Sequence, residues 1–257
     1  MKISGVIITF NEERFIRQCI ESIKDVVDEI VVVDSFSTDN TKVIAQEYNV
    51  RFIENKFEGF IAQKNFANSQ AIYDYVLFLD ADEQLSEQLK KSILDIKSLK
   101  VRFDGYSFNR LNNYCGHWVK YSGWYPDAKI RFFNRNKAKW VGENNLHEQI
   151  VLDNKESEQK LDGDLVHYAY DSVSEHWTKI NKYTDIVSRY IFENQPNKKI
   201  GFSKLFLSPF WKFIKSFIFQ KGYKDGAYGL IICSLAAFYT YLKYAKVKEF
   251  QLKNKVK

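Results

Sequence analysis

Apolar residues in the first hundred positions fall into short runs that alternate with amphipathic stretches. Ile3 to Thr9 is a strand-length apolar run, and Glu12 to Lys24 follows with Ile16, Ile20 and Ile23 on one helical face. Glu29 to Asp34 reads as a second strand, Thr41 to Tyr48 as a short helix that Asp39 can cap, and Val50 to Glu54 as a third strand. A helix near Phe60 to Ala71, a strand from Tyr75 to Leu79 and a helix from Glu87 to about Lys97 continue the alternation. Such a βαβα order predicts an α/β fold built on a right-handed, mostly parallel sheet.

The texture changes near Tyr106 to short aromatic-rich strands: Tyr106 to Asn109, a turn at Asn112-Asn113, His117 to Tyr121, and Ile130 to Asn134. These are expected to add antiparallel edge strands and the wall of a second binding site, with Trp118, Trp124, Tyr125 and Trp140 as platform or as core. Helical patterning returns after Asp171, and Pro209 marks a helix start or a kink. Lys204, Ser208, Lys212 and Lys215 recur at helical spacing among Leu205, Phe206, Phe210, Phe213, Phe217 and Phe219, a pattern suited to a bilayer interface. Gly226 to Leu242 then runs 17 residues without a charge, the lower limit for a membrane span. Its three tyrosines, two glycines, Ser234 and Thr240 favour a packed or partly embedded helix over a spanning one. Three parts are therefore expected: 1–105, 106–170 and a helical, membrane-associating 171–257.

Composition is that of an ordinary globular chain, 45% hydrophobic and 27% charged, which argues against disorder. Three widely spaced cysteines, Cys19, Cys115 and Cys233, fit neither a disulfide framework nor a zinc site, so a reducing compartment is expected. The apolar run at Val6 to Phe10 is too short for a signal peptide. Charge is unevenly spread: residues 1–170 carry a net −4, and residues 171–257 a net +10. A basic, aromatic tail points to an anionic membrane surface, and its interleaved aliphatics argue against a nucleic-acid partner.

Chemistry concentrates where the Tyr75 to Leu79 strand ends in Asp80, Ala81, Asp82 and Glu83. Ligands of open α/β sheets gather beyond the carboxyl ends of such strands. In an ideal strand Asp80 and Asp82 point to the same side, where they would share a hard cation whose remaining ligands are the oxygens of a diphosphate. The plainer alternative is an exposed turn leading into a helix capped by Ser86.

Three strand ends resemble one family when taken together. Ile7 to Glu13, Val31 to Thr41 and Phe78 to Glu83, in this order and spacing, look like the nucleotide-sugar half of glycosyltransferase family 2, the inverting GT-A enzymes. Over nearly its whole length the chain is similar to that family's lipopolysaccharide-core glucosyltransferase branch, including the Gly59 to Asn65 segment and the aromatic, basic tail. The resemblance implies a GT-A, Rossmann-like sheet and transfer from a nucleotide-diphosphate donor, a UDP-sugar, to a lipid-linked or lipopolysaccharide-core saccharide. The basic, aromatic tail is expected to hold the protein, as a peripheral one, on the cytoplasmic face of the inner membrane.

Carried over position by position, Thr9, Asn11, Glu12 and Asp34 would hold uracil and ribose. Asp80 would contact ribose or metal, Asp82 would ligate a divalent Mg2+ or Mn2+, and Lys64 would lie near the nucleotide or donor sugar. The chain departs from the family pattern in having Ile8 where many members have proline, and Ser35-Phe36 after Asp34 in place of Asp-Gly. The usual Glu-Asp pair for the base is also absent, and the Trp140 to Glu148 segment stands near its place.

Inverting transfer needs a carboxylate to take the acceptor proton and positive charge for the departing diphosphate. Glu148 is the first choice as base, with Glu143 and Asp127 in reserve. Its neighbour His147 would be a third metal ligand or a donor to phosphate. Arg131 and Arg135 are candidates for an anionic acceptor. Two other classes are weighed: a non-catalytic, membrane-associated nucleotide-sugar-binding adaptor, and a nucleotidyltransferase. The latter should show a glycine-rich first loop, and residues 5 to 17 contain only Gly5.

Overall fold

The computed structural model describes residues 1–99, 102–142, 148–195 and 198–255. Its chain divides into two compact units, residues 1–111 with 127–168, and residues 112–126 with 169–257. Residues 112–126, grouped by their sequence with the acceptor-side strands, thus cluster with the helical region.

The first unit is built on a mixed sheet. Four parallel strands, β1 (Ile3–Thr9), β2 (Glu29–Asp34), β3 (Arg51–Glu54) and β4 (Tyr75–Asp80), lie in the order β3-β2-β1-β4. Beyond β4 the sheet continues through β8 (Ala128–Asn134), β6 (Gly105–Tyr114), β11 (Glu158–Tyr170) and β5 (Glu83–Leu85), with β8 antiparallel to both β4 and β6. A separate ribbon pairs β9 (Ala138–Val141) with β10 (Gln149–Leu152). Side-chain alternation explains the unbroken apolar runs. Ile3, Ile7, Val32, Leu77 and Leu79 enter one core with α1 (Ile16–Ile23) and α4 (Glu87–Ser98). Val6, Ile8, Val31, Val33, Val76 and Phe78 enter another on the opposite face with α3 (Phe60–Ser69) and Trp140. Both faces are covered, so a strand needs apolar residues at every position. The remaining helix of this unit, α2 (Thr41–Gln46), takes a cap from Asp39, whose Oδ1 accepts the Thr41 N–H at 3.0 Å.

Three expectations shift. The helix expected from Glu12 begins at Ile16, after a turn in which the Phe15 and Ile16 N–H groups both donate to Glu12 O, and the Glu12 and Glu13 N–H groups are held by Thr41 Oγ1 and Asp39 Oδ2 of the next loop. No turn forms at Asn112-Asn113: both residues lie in β6, and the chain reverses at Cys115 and Gly116, both at positive φ. Asn113 serves that turn from within the strand, its Oδ1 accepting the Gly116 N–H at 2.9 Å. The long strand β11 has no clear signature, since its buried apolar residues Leu161, Leu165 and Ala169 recur only every fourth position among polar ones. Gly163 brings β11 across the start of α4. It has φ +99°, and a Cβ there would lie 2.3 Å from the Leu89 nitrogen.

In the second unit the end of β6 pairs with β7 (His117–Val119), beside α5 (Val173–Asn194), a helical stretch 202–219 that contains α6 (Ser208–Ile214), and α7 (Gly226–Lys255). Pro209 stands in the first turn of α6, the helix-start alternative. The Ser208 N–H reaches back five residues to Ser203 O, and Pro209, with no N–H to place, follows that widened turn. The uncharged segment lies inside α7, which is long and apolar enough to cross a membrane by length and composition, while Ile232, Cys233 and Val247 on it are buried. Asp225, 5% exposed, accepts the Lys120 and Tyr121 N–H groups.

His176 on α5 is buried among Tyr114, Trp124 and Tyr170, with Nδ1 3.1 Å from the Tyr114 hydroxyl. Burial, aided by Lys179, pushes its pKa down to about 4. The unfolded chain therefore binds a proton below about pH 6.5 that the folded chain refuses until about pH 4. Stability should fall by up to about 3 kcal/mol over that window and then level. Urea unfolding between pH 7 and pH 4 should show this limb, and His176→Phe should flatten it; an unchanged limb in the variant would contradict the assignment.

Candidate active site at the strand ends

Registry brings three loops together. Thr9 pairs with Asp34, and Ile8 with Asp80, so the ends of β2, β1 and β4 stand side by side. The first two loops are stitched to each other. Asp34 accepts the Ser37 N–H at 2.7 Å and its hydroxyl at 2.5 Å, and Ser37 Oγ accepts the Asn11 N–H at 2.8 Å. Asn11, at φ +54°, takes the Thr38 N–H on its Oδ1. Asp34 is 1% exposed, so its carboxylate shapes the loop from inside. Thr9 is also buried, and its Oγ1 has no hydrogen-bond partner. Asn11 is exposed and Glu12 half-buried, and the rings of Phe10 and Phe36 on the same two loops are exposed.

Lys64 does not behave as a solvated helix residue. It is 1% exposed, and its Nζ lies 3.2 Å from Asp80 Oδ1 and 2.9 Å from Glu148 Oε1, over the face of Trp140 at 4.7 Å. Arg131 on β8 repeats the arrangement: it lies 5.2 Å from the same ring, and Nη2 donates to Asp80 Oδ2 at 2.9 Å and Glu83 Oε1 at 3.1 Å. Trp140 is held for both by Asn65, whose side chain bonds the Trp140 N–H and C=O. Fully buried Glu83 also takes the Asp80 N–H. Burial alone would raise the Asp80 pKa, but the charges of Lys64 and then Arg131 outweigh it and hold the carboxyl well below the usual range. Although Asp80 Oδ1 is close to Lys64 as a charge, it has no hydrogen bond of good geometry; neither do Arg131 Nη1 and Trp140 Nε1. Three orphaned polar atoms on neighbouring residues suit a ligand site rather than a closed core.

Asp80 and Asp82 do not face one partner as the ideal-strand expectation had it. β4 ends at Asp80, and Asp82 sits in the turn before β5, its carbonyl accepting the Tyr168 N–H. Asp82 Oδ2 instead lies 3.3 Å from Nε2 of His167, which β11 brings opposite Glu83. A carboxylate and an imidazole at this distance are donors suited to a divalent cation. Among the described residues no cluster of three His, Cys, Asp or Glu side chains is arranged to hold a metal alone, so oxygens of a substrate would have to complete its shell. The His167 signal, a single histidine in a polar-looking stretch, was missed because its strand was missed.

The remaining candidates separate. Asp127 is tied to Arg110 and Lys129, each at 3.0 Å. Arg135 lies at the other end of β8 from the Arg131 side chain's partners, with its N–H on Asp74 O and Nη1 near Ser69 O. Glu143 and His147 lie outside the described residues. Lys204 is half-buried over the Tyr244 ring at 5.7 Å, while Lys212 and Lys215 are exposed. Around them stand the exposed side chains of Phe202, Phe206, Phe210, Trp211 and Phe219.

Comparison with known proteins agrees with the strand-end motifs. Residues 4–144 match the model of Glycosyl transferase family 2. An uncharacterised glycosyltransferase of Rickettsia typhi is 32% identical, covering 99% of this chain and 89% of its own. The lipopolysaccharide core biosynthesis glycosyltransferase LpsC of Rhizobium meliloti is 27% identical, covering 96% and 92%. Among solved structures, S. aureus TarS 1-349 in complex with UDP-GlcNAc is 17% identical, covering 99% and 92%, with a TM-score of 0.49.

Removing one member of a buried ion-pair cluster leaves uncompensated charge, so Lys64→Met should lower stability by about 3 to 5 kcal/mol. Urea unfolding at pH 7 measures it. A midpoint equal to that of the wild type would show that Asp80 and Glu148 do not depend on Lys64.

Proposed function

The chain belongs to glycosyltransferase family 2 and is a GT-A glycosyltransferase; from that premise we propose that it moves a sugar, with inversion, from a UDP-sugar to a saccharide acceptor of the lipopolysaccharide core or a similar cell-envelope glycan. The observation that carries the reading is the buried Lys64 ammonium with Asp80 on one side and Glu148 on the other. It joins a nucleotide-side carboxylate at a strand end to a carboxylate that lines a cavity. Likeness to LpsC supports the acceptor class.

In this reading Glu148 takes the proton of the acceptor hydroxyl as that oxygen bonds to the anomeric carbon, and the bond to the diphosphate breaks with its electrons leaving on phosphate. The transition state has oxocarbenium character. Lys64 and Arg131 fix the two carboxylates and lend positive charge near the leaving group. Asp82 and His167 would hold the divalent cation, Mg2+ or Mn2+, with oxygens of the diphosphate completing its shell. When bound, that cation would neutralise charge collecting on the diphosphate.

The variants Glu148→Gln and Asp82→Asn test the division of labour. Glu148→Gln should keep UDP binding and lose about a hundredfold or more in transfer. Asp82→Asn should lose transfer together with the extra thermal stability that UDP gains from manganese. Normal transfer by Glu148→Gln would remove it as the base, and an unaltered manganese effect in Asp82→Asn would remove it as a ligand.

The same reading extends to the basic tail, as a peripheral anchor on the anionic cytoplasmic face of the inner membrane. Support comes from the exposed aromatic face of residues 202–219, with Lys212 and Lys215 beside it. Each lysine near the surface adds about 1 kcal/mol of attraction. Flotation with anionic and neutral liposomes should show strong binding only to the anionic ones, weakened in a Lys204→Glu, Lys212→Glu, Lys215→Glu variant. Equal binding of both proteins to both vesicles would refute electrostatic anchoring.

A further inference from the structure

A cavity of about 430 Å3 opens within the first unit, floored by β6 and β8 and walled by the β9–β10 ribbon. Ser107, Arg110, Lys129, Arg131, Trp140 and Glu148 are among its lining residues. Two of them connect it to the strand ends. Arg131 reaches Asp80 through Nη2, and Glu148 reaches Asp80 through Lys64. A molecule in this cavity therefore stands one side chain away from the nucleotide-side carboxylate, against the carboxylate that the proposed mechanism uses as base.

Arg131 tells what chemistry the cavity is built to meet. The residue is 5% exposed, both hydrogen bonds to carboxylates leave from Nη2, and Nη1 has no partner among the described residues. A buried guanidinium N–H left unmatched is unfavourable, so it is expected to be matched in the working complex. Lys129, more exposed, stands on the same strand two residues earlier and also lines the cavity. Net field does not explain selectivity here. Lys64, Arg110, Lys129 and Arg131 already face Asp80, Glu83, Asp127 and Glu148 in close pairs, and Glu158 lines the cavity as a further carboxylate. Recognition must come from directed N–H groups, and a cationic donor bonds an oxyanion more strongly than it bonds a neutral hydroxyl because both partners are then charged.

We propose that this cavity binds the acceptor and recognises an oxyanion carried on it, so that the acceptor is an acidic sugar bearing a phosphate or a carboxylate. The Arg131 guanidinium and the Lys129 ammonium, both of residues that line the cavity, are the groups that read it. This rests on the glycosyltransferase reading for the word acceptor, while the anion preference can be measured apart from it.

Isothermal titration of the full-length protein, with and without saturating UDP, tests the proposal with three probes: methyl glucoside, methyl glucuronide and glucose 6-phosphate. At least one anionic probe should bind about tenfold or more tightly than the neutral glycoside, a difference on the scale of one charge-assisted bond. Preference for the glucuronide identifies a carboxylate, preference for the phosphate a phosphoryl group, and either supports the proposal. Lys129→Glu, at a partly exposed position whose folding is checked by thermal melting, should bring the ratio close to one. Equal binding of neutral and anionic probes, no binding of any probe up to about 10 mM, or an undiminished preference in Lys129→Glu would overturn it. If wild-type protein binds no UDP yet keeps the anion preference, the donor assignment fails and anion recognition stands.

Discussion

A lysine ammonium that is 1% exposed has exchanged water for whatever charge the fold sets beside it, and Lys64 is that group. Its two carboxylate partners come from distant places in the chain, Asp80 at the end of β4 and Glu148 ahead of β10. Trp140 lies under the ammonium and also under Arg131, and Asn65, one residue after Lys64, grips the Trp140 backbone. One desolvated charge thus ties α3, the central strand and the β9–β10 ribbon into a fixed relation. Asp80 remains ionised in a place where burial alone would favour its neutral form.

This dependence explains why catalytic candidates can sit in a partly dry site without collapsing into mutual neutralisation. Each carboxylate has a cation, and each cation has at least one carboxylate, yet the geometry leaves Asp80 Oδ1, Arg131 Nη1 and Trp140 Nε1 without hydrogen bonds. A closed structural cluster would satisfy such atoms; an enzyme cluster leaves them for substrate. When Glu148 takes a proton, one negative charge leaves the cluster, which favours an anionic group nearby. Acid–base work and anion recognition reinforce each other in this way.

Much of this was legible in the chain, for physical reasons that also mark where legibility ended. Strands covered on both faces need apolar residues throughout, so β1, β2 and β4 announced themselves, and the carboxylates following Leu79 marked the ligand end. Lys64 and Glu148 could be named as candidates, but their mutual contact could not, since it joins residues 84 positions apart. The expected Asp80–Asp82 pairing assumed that the strand continues; it stops at Asp80, and Asp82 turns to His167. That histidine stayed hidden because β11 buries apolar residues only every fourth position and resembles a polar loop. Asp34 was expected to hold a ligand, and its placement follows from Ser37, whose N–H and hydroxyl both donate to it, a local bond invisible to hydrophobic periodicity.

The central claim is that the end of β4, with its neighbour His167, receives the diphosphate of a nucleotide sugar. Anomalous diffraction from crystals grown with UDP and manganese measures this most directly. The account predicts a manganese peak in contact with Asp82, His167 and the diphosphate, with UDP running toward Thr9 and Asn11. A manganese and UDP site elsewhere on the chain, with the Lys64, Asp80 and Arg131 cluster untouched, would contradict it.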